Sequence, residues 1–181
     1  MPRVAGLAMA VVVWALAPAF LDGQRLAYVG GGGGLLVPTG SFGDVEKAGW
    51  HVLGSGVGML TGSLGFTVHA VYGQVAHQND VEGKSTLAGG TVNAVLFLGG
   101  EPRRIRPFLT AGVGAFRVNV DVPSFGSAAS TEFALDGGAG LLVGSGRRRA
   151  LLVARYVSVR TPEPTRFLPI SAGVMFPLGS R

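Results

Sequence analysis

Apolar and polar positions alternate along most of the chain beyond residue 25. The stretch "LPISAGVMF" at 168–176 shows this most clearly, because its apolar side chains recur at every second position. A period of two is the signature of a β-strand, and the segments have about the length of a tilted strand that crosses a bilayer. We predict eight strands, at 26–37, 50–60, 64–74, 87–98, 107–120, 131–143, 150–159 and 168–176.

The two faces of the third, fourth and sixth predicted strands differ in chemistry. The broad apolar faces comprise Leu64, Phe66, Val68, Ala70, Tyr72, Ala88, Val92, Ala94, Leu96, Leu98, Phe133, Leu135, Ala139, Leu141 and Val143. The opposite faces are small or polar and comprise Thr67, His69, Gly73, Thr91, Asn93, Glu132 and Asp136. Because the apolar faces are broad and carry aromatic residues near strand ends, we predict that lipid lies outside and a narrow polar lumen inside.

The connections between the predicted strands alternate in character. Three are short or basic, at 61–63, 99–106 and 144–149, and four are mostly longer and of mixed charge, at 38–49, 75–86, 121–130 and 160–166. This alternation is typical of outer-membrane barrels. Hydrocarbon offers no partners for backbone N–H and C=O groups, so the last strand must pair with the first. The sequence therefore predicts an all-β fold, an eight-stranded antiparallel up-and-down transmembrane β-barrel with both termini on the periplasmic side.

The N-terminus has the layout of a secretory signal peptide. A basic start, "MPR", precedes an apolar run at 4–16, and small residues follow at 17–19. We predict a signal peptide at 1–19 with cleavage after Ala19, then a barrel domain at 20–181 with its strands within 26–176, exported to the outer membrane. The alternative is a membrane anchor helix, but the run is shorter than the roughly 20 residues that a spanning helix needs.

Composition supports an exported β-protein. The chain has 31 glycines, which weaken helix interiors, and only 14% of its residues are charged. It has no cysteine, which excludes disulfides and thiolate metal sites. The formal charge of +5 does not indicate nucleic acid, because six of the basic residues fall in two predicted turns. We expect Arg103, Arg104, Arg106 and 147–149 to form a periplasmic rim that faces solvent or lipid headgroups.

The chain resembles the small eight-stranded outer-membrane β-barrel proteins, over essentially all of residues 26–176. The resemblance is carried by "GGGGLLVPTGSFGDVEKAGWHVLGSGVG", "RPFLTAGVGAFRV", "LDGGAGLLVG" and "LPISAGVMF". It implies a monomer whose partners are outer-membrane lipid and lipopolysaccharide, with no nucleic acid. The final stretch looks like the signal that the outer-membrane insertion machinery recognises, although "PLGSR" follows its aromatic residue. The residues of that signal are Leu168, Ile170, Ala172, Val174 and Phe176.

Candidate chemistry is sparse. None of the three histidines, His51, His69 and His77, has a serine or carboxylate at a spacing that suggests a catalytic triad. The "GGGGG" run at 30–34 lacks the Gly-Lys-Ser/Thr of a phosphate-binding loop. We therefore predict no catalytic residue, no cofactor and no metal. We expect His69 to form hydrogen bonds inside the lumen, and His51 and His77 to lie at a rim or in a loop.

One polar constellation is predicted in the lumen. Asp136 and Arg155 lie on adjacent predicted strands, and a hairpin folded about Ser145 and Gly146 places them directly opposite each other. Glu132 and Arg117 are candidates to extend this network. An eight-stranded barrel is just wide enough to be filled by side chains. We favour a structural network that fills the barrel over a gate or an ion path.

The function predicted from these features is non-enzymatic, with a structural or surface-interaction role. A small-solute channel resembling a porin is the first alternative. A membrane-embedded lipid-modifying hydrolase is a more distant one.

The first prediction concerns location. We expect the mature protein to fractionate with outer membranes and to migrate differently on a denaturing gel before and after boiling, because a closed barrel resists detergent. Recovery in the soluble periplasmic fraction without a heat-dependent shift would instead indicate a soluble barrel.

Overall fold

The computed structural model describes residues 27–77, 83–99, 104–122, 126–144, 148–161 and 165–178. The predicted signal peptide at 1–19 lies outside these residues. The eight predicted strands are confirmed, and they form a closed antiparallel barrel in chain order. Their bounds are β1 Ala27–Thr39, β2 Gly49–Met59, β3 Leu64–Ala76, β4 Lys84–Phe97, β5 Ile105–Val122, β6 Gly126–Val143, β7 Arg149–Val159 and β8 Thr165–Leu178.

The strand registers close the barrel with a stagger of ten residues. A path through directly paired residues begins on β1 at Val29 and returns to β1 at Thr39, ten positions further along. The residues of this path are Val29, Gly56, Val68, Val92, Val113, Leu135, Ser158, Arg166 and Thr39. A stagger of this size accompanies strands tilted by about 35–45° and fixes the width of the interior.

Two connections differ from the prediction. The first long loop contains a short helix, α1 at Ser41–Val45, which lies against β1 and β8. The predicted loop at 121–130 is mostly strand, since β5 continues to Val122 and β6 begins at Gly126. β5 and β6 pair beyond the predicted loop boundary because the register between them continues unbroken from Ile105 with Val143 to Val122 with Gly126. None of the helices within the described ranges is long and apolar enough to cross a bilayer.

The apolar faces predicted on the third, fourth and sixth strands point outward, as expected. All eight strands carry exposed large apolar side chains on this surface, such as Val92, Leu135 and Val174. On the end of the barrel away from the chain termini, Trp50 and Tyr72 pack with ring centroids 6.0 Å apart. Such a continuous apolar surface with aromatic residues near one edge is typical of lipid contact.

The two ends of the barrel are named here for their connections. The turn rim is the end that holds Ala27, Leu178 and the ends of β2, β4 and β6, and the loop rim is the opposite end, which holds α1. Both ends of the described chain, Ala27 and Leu178, lie at the turn rim, as expected for two termini on the same side of the membrane.

The prediction of a polar lumen is wrong for most of the interior. Towards the loop rim the interior is apolar, with Leu36, Leu87 and an edge-to-face pair of Phe116 and Phe167. Towards the turn rim it is also apolar, with Tyr28, Met175 and other side chains. Buried polar side chains lie between these two layers. The period-two pattern shows which side chains share a face, but apolar residues occur on both faces, so the pattern did not reveal the apolar interior layers.

Arginines at the turn rim also differ from the prediction. Arg106 is only 1% exposed, lies 4.4 Å above the Phe97 ring and donates a hydrogen bond from Nη2 to the Gly62 carbonyl at 2.8 Å. Arg149 lies 5.1 Å from the Tyr28 ring centroid. Both therefore stack on interior aromatic residues and help to close this end of the barrel, whereas Arg104 and Arg148 are exposed as expected.

Glycines on the inward face make room for large interior side chains. A Cβ atom on Gly138 would come within 2.9 Å of Arg155 Cγ, and one on Gly112 within 2.7 Å of Asn93 Cγ. Real Cβ atoms essentially never come this close to their neighbours. In so narrow a barrel, the large inward side chains of Arg155 and Asn93 fit because the residue opposite each of them on a neighbouring strand is glycine.

The second prediction tests this packing. Gly138→Ala should lower the free energy of unfolding by about 1–3 kcal/mol, because the added methyl group would collide with the Ala154 carbonyl oxygen and with the backbone and stem of Arg155. Gly54→Ala is the matched control, since a Cβ there meets nothing within 4 Å. Urea unfolding of the refolded barrel measures both changes. Equal effects of the two substitutions would contradict the packing role of Gly138.

Candidate functional site

A polar belt lies across the middle of the interior, between the two apolar layers. Its side chains come from seven strands, so no single segment of sequence contains it. The members of this polar belt are His51, Ser55, Thr67, His69, Thr91, Asn93, Thr110, Asp136, Arg155 and Ser171, all at most 5% exposed.

The centre of the polar belt is an ion pair. Arg155 Nη1 donates to Asp136 Oδ2 at 2.6 Å, and both side chains are fully buried. Thr91 joins the pair, because its Oγ1 donates to the same carboxylate oxygen at 2.9 Å and accepts a bond from Arg155 at 3.3 Å. Arg155 therefore reaches from β7 across the interior to β4. A charge in such a place is tolerated only with its partner present.

The structure brings Asp136 and Arg155 together in a different register from the predicted one. Arg155 pairs with Gly138, and Asp136 pairs with Val157, so the two side chains are diagonal neighbours. The shift of two residues keeps both on the inward face, and the length of the arginine side chain spans the diagonal. Gly138 takes the position directly opposite Arg155, where a side chain would collide with it.

The two residues predicted to extend the network are placed elsewhere. Arg117 is exposed on the outer face, because its neighbours Phe116 and Val118 are the inward residues of β5. Its expected place in the lumen is therefore wrong, and the inward glycines of β5 explain why the pattern there was ambiguous. Glu132 belongs to the inward face of β6 and is half-buried beside Phe116. It is separated from Asp136 by Ala134, about 13 Å along the strand at 3.3 Å per residue.

Two histidines of the polar belt form hydrogen bonds with hydroxyl groups. His69 Nε2 lies 3.1 Å from Thr67 Oγ1, inside the barrel as predicted. His51 was expected at a rim, but it is 2% exposed and its Nε2 lies 2.7 Å from Ser171 Oγ. His51 and Ser171 lie on β2 and β8 and both pair with Gly34 of β1. Because Gly34 has no side chain, they meet across the strand between them.

The His51–Ser171 pair does not have the arrangement of an activated nucleophile. Activation requires a third group that orients the histidine through its other ring nitrogen. No side chain in the described ranges bonds to His51 Nδ1, and the pair lies inside the packed barrel. The described residues also contain no group of three His, Cys, Asp or Glu side chains that could hold a metal ion.

A second polar cluster lies at the loop rim. Glu46 follows α1, is 4% exposed, accepts a hydrogen bond from Ser85 Oγ at 2.5 Å and lies 3.3 Å from His77 Nδ1. Burial raises the pKa of the Glu46 carboxyl, and the hydrogen bond from Ser85 and the electrostatic attraction of His77 partly oppose that rise. The cluster unites a serine, a histidine and a carboxylate, but Ser85 bonds to the acid and not to the ring. It therefore fastens the first loop to β3 and β4.

Phe42 of the same loop packs against the interior apolar cluster. The first loop thus covers part of the loop rim. Sequence reasoning missed the cluster because its three residues come from separate connections and strands, and only closure of the barrel brings them together.

Three solved structures show the same architecture. Neisserial surface protein A matches with a TM-score of 0.66 at 17% identity, covering 83% of this chain and 96% of that chain. The outer membrane protein OprG from Pseudomonas aeruginosa matches at 0.62 and 12% identity, covering 87% and 98%. Ail, the attachment invasion locus protein of Yersinia pestis, solved with the heparin analogue sucrose octasulfate, matches at 0.53 and 13%, covering 84% and 96%.

No known family model and no curated protein sequence matches the chain. At these identities the likeness to solved structures shows the fold alone. That fold is the small eight-stranded barrel of outer-membrane proteins.

The third prediction concerns the ion pair of the polar belt. Asp136→Ala leaves the buried guanidinium without its carboxylate and should lower the free energy of unfolding by about 3–5 kcal/mol. The double replacement Asp136→Leu with Arg155→Met should recover much of that loss, because a buried pair often breaks even against well-packed neutral groups. Urea unfolding of the matched single variants Asp136→Leu and Arg155→Met and of the double variant gives the coupling energy. Additive effects would show that the two side chains are energetically independent.

Proposed function

We propose that the protein is a non-conducting, non-enzymatic barrel of the outer membrane with a structural or surface-interaction role. The observation that carries this proposal is the filled interior. Two apolar layers enclose a central belt of buried polar side chains that contains the Asp136–Arg155 ion pair, with aromatic and arginine side chains at the turn rim.

The filled interior favours an anchor over a channel. A channel needs a continuous path for water, whereas each described layer of this interior contains large buried side chains. Phe116 and Phe167 lie on the loop side of the ion pair, and Phe97 and Phe108 lie on its turn side. The cavity beside His69 has a volume of about 20 Å³, enough for about one water molecule. The small-solute channel is therefore the less favoured alternative.

Placement in the outer membrane is supported by the outer surface and by the sequence. The exposed apolar side chains on all eight strands suit lipid, and a signal peptide would supply export. The last strand also suits recognition by the insertion machinery. Ile170, Val174 and Phe176 are exposed on its outer face, and β8 continues two residues past the aromatic to Leu178.

Surface interaction is supported by analogy with two proteins of the same fold. One is named as a surface protein and the other as an attachment invasion locus protein. The hydrolase alternative has less support, because neither polar cluster in the described residues joins a serine, a histidine and an acid in the order that nucleophilic catalysis requires.

The fourth prediction is that the native barrel shows no steady conductance in planar bilayers. We also expect none from the double variant Asp136→Ala with Arg155→Ala, because the apolar layers on either side of the polar belt remain. A porin of known conductance, inserted in the same bilayers, serves as the positive control. Single-channel steps in the native protein that grow in the double variant would identify the ion pair as a constriction and overturn the proposal.

A further inference from the structure

Three arginines lie together on the outer face at the loop rim. Arg117 is on β5, Arg160 directly follows β7 and Arg166 is on β8, and all three are exposed. Their positions are linked by the registers, because Arg117 pairs with Thr131, Arg160 donates its backbone N–H to the Phe133 carbonyl and Arg166 pairs with Ser158. They therefore occupy one side of the barrel across β5 to β8, and we call them the arginine patch.

The arginine patch is confined to that side. None of the described residues of β1 to β4 is an arginine, and near the same edge those strands present the Trp50–Tyr72 pair. The bond from Gln74 Nε2 to the Tyr72 hydroxyl, at 2.9 Å, lies there too. Lys84 of β4 is the basic residue that the described parts of β1 to β4 place at this rim, so guanidinium groups, rather than positive charge as such, are confined to β5 to β8.

The arginine patch lies at the loop-rim edge of an exposed apolar strip. Phe133, Leu135, Tyr156 and Ile170 are each 45–46% exposed on the same strands, nearer the middle of the barrel. The Arg160 guanidinium lies 5.9 Å from the Phe133 ring centroid, which places the charge at the boundary between the apolar strip and the rim. An occupant of both regions must carry apolar chains and an anionic head.

Among the described residues, the three guanidinium groups have no carboxylate partner. Two hydroxyl-bearing residues on the outer face, the exposed Thr131 and the half-buried Ser158, lie between them. Guanidinium groups bind phosphate oxygens with two parallel hydrogen bonds, and hydroxyl groups add single donors.

We propose that the arginine patch binds the phosphate groups of a lipid in the outer leaflet, whose acyl chains lie on the apolar strip. By the registers, Arg117 and Arg166 are separated by three strand spacings and by four residues along the strands, about 20 Å at 4.8 Å per strand and 3.3 Å per residue, which exceeds the reach of one phosphate. The occupant is therefore a lipid with two phosphates on its headgroup, as in lipid A. This proposal rests on the outer-membrane placement proposed above, with the loop rim at the outer leaflet.

The test uses the full mature barrel refolded in micelles of a neutral detergent. Native mass spectrometry counts bound lipid A that carries two phosphates, and dissociation constants are compared between variants. We expect Arg160→Gln with Arg166→Gln to weaken binding about 10- to 30-fold, at about one headgroup-surface charge interaction per arginine. Arg160→Lys should weaken it less, because the charge remains while the planar fork and its ring contact are lost.

The matched control removes the same charge at the other end of the barrel. Arg104→Gln with Arg148→Gln replaces two exposed arginines of the turn rim and should change the dissociation constant less than about twofold. Each variant is first checked for the heat-dependent gel shift, and since the exchanged side chains are exposed we expect all of them to fold. Lipid A with one phosphate should bind more weakly than lipid A with two.

Three outcomes would overturn the proposal. Equal affinity of the native protein and the Arg160/Arg166 variant would show that the arginine patch does not hold the lipid. An equal loss in the turn-rim control would show a general charge effect. Displacement of lipid A by inorganic phosphate at matched phosphate concentration would identify a site for free anions. Conductance in bilayers would refute the proposed non-conducting role without changing the binding result, so the two failures are distinguishable.

Discussion

Closure of the sheet is the constraint on which the rest of the molecule depends. Hydrocarbon satisfies no backbone hydrogen bond, so a sheet within it must have no free edge. Here β8 pairs with β1 along 13 residue pairs, from Ala27 with Leu178 to Thr39 with Arg166. Eight strands with a stagger of ten residues fix both the tilt of the strands and the width of the interior, and everything inside must fit that width.

The narrow interior explains both the glycines and the buried ion pair. Gly138 leaves room for the stem of Arg155, and Gly34 lets His51 and Ser171 meet across a strand. Arg155 can then cross the interior and meet both Asp136 and Thr91. The apolar layers above and below exclude water from this pair, so the loss of either partner is costly. The described interior is thus packed in the manner of a protein core.

The outer surface is apolar because its solvent is lipid and not water. Its apolar side chains are stable only against lipid, and its charges collect where the apolar surface ends. Arg117 shows why the face of each strand residue matters. Successive residues of β5 point to opposite faces, so Arg117 lies on the outer face although Phe116 and Val118 beside it point inward. There it lies on the same side of the barrel as Arg160, which follows β7, and Arg166 of β8, in a surface that the linear sequence does not display.

The sequence by itself determined the strand count, the fold class and the outward faces of β3, β4 and β6, because period two survives in any β-structure whatever its register. Residues such as Val92 and Leu135 were assigned correctly because polar neighbours mark the opposite face of their strands. The meeting of Asp136 with Arg155, the burial of Arg106, the inward position of His51 and the cluster of Glu46 with His77 and Ser85 were decided by the tertiary structure. Each of these depends on the register between strands or on contact across a closed interior. Along β1 and β5, where several inward positions are glycine, the two faces of the strand no longer differ clearly in apolar and polar residues. Only pairing with the neighbouring strands then fixes which side chains face inward.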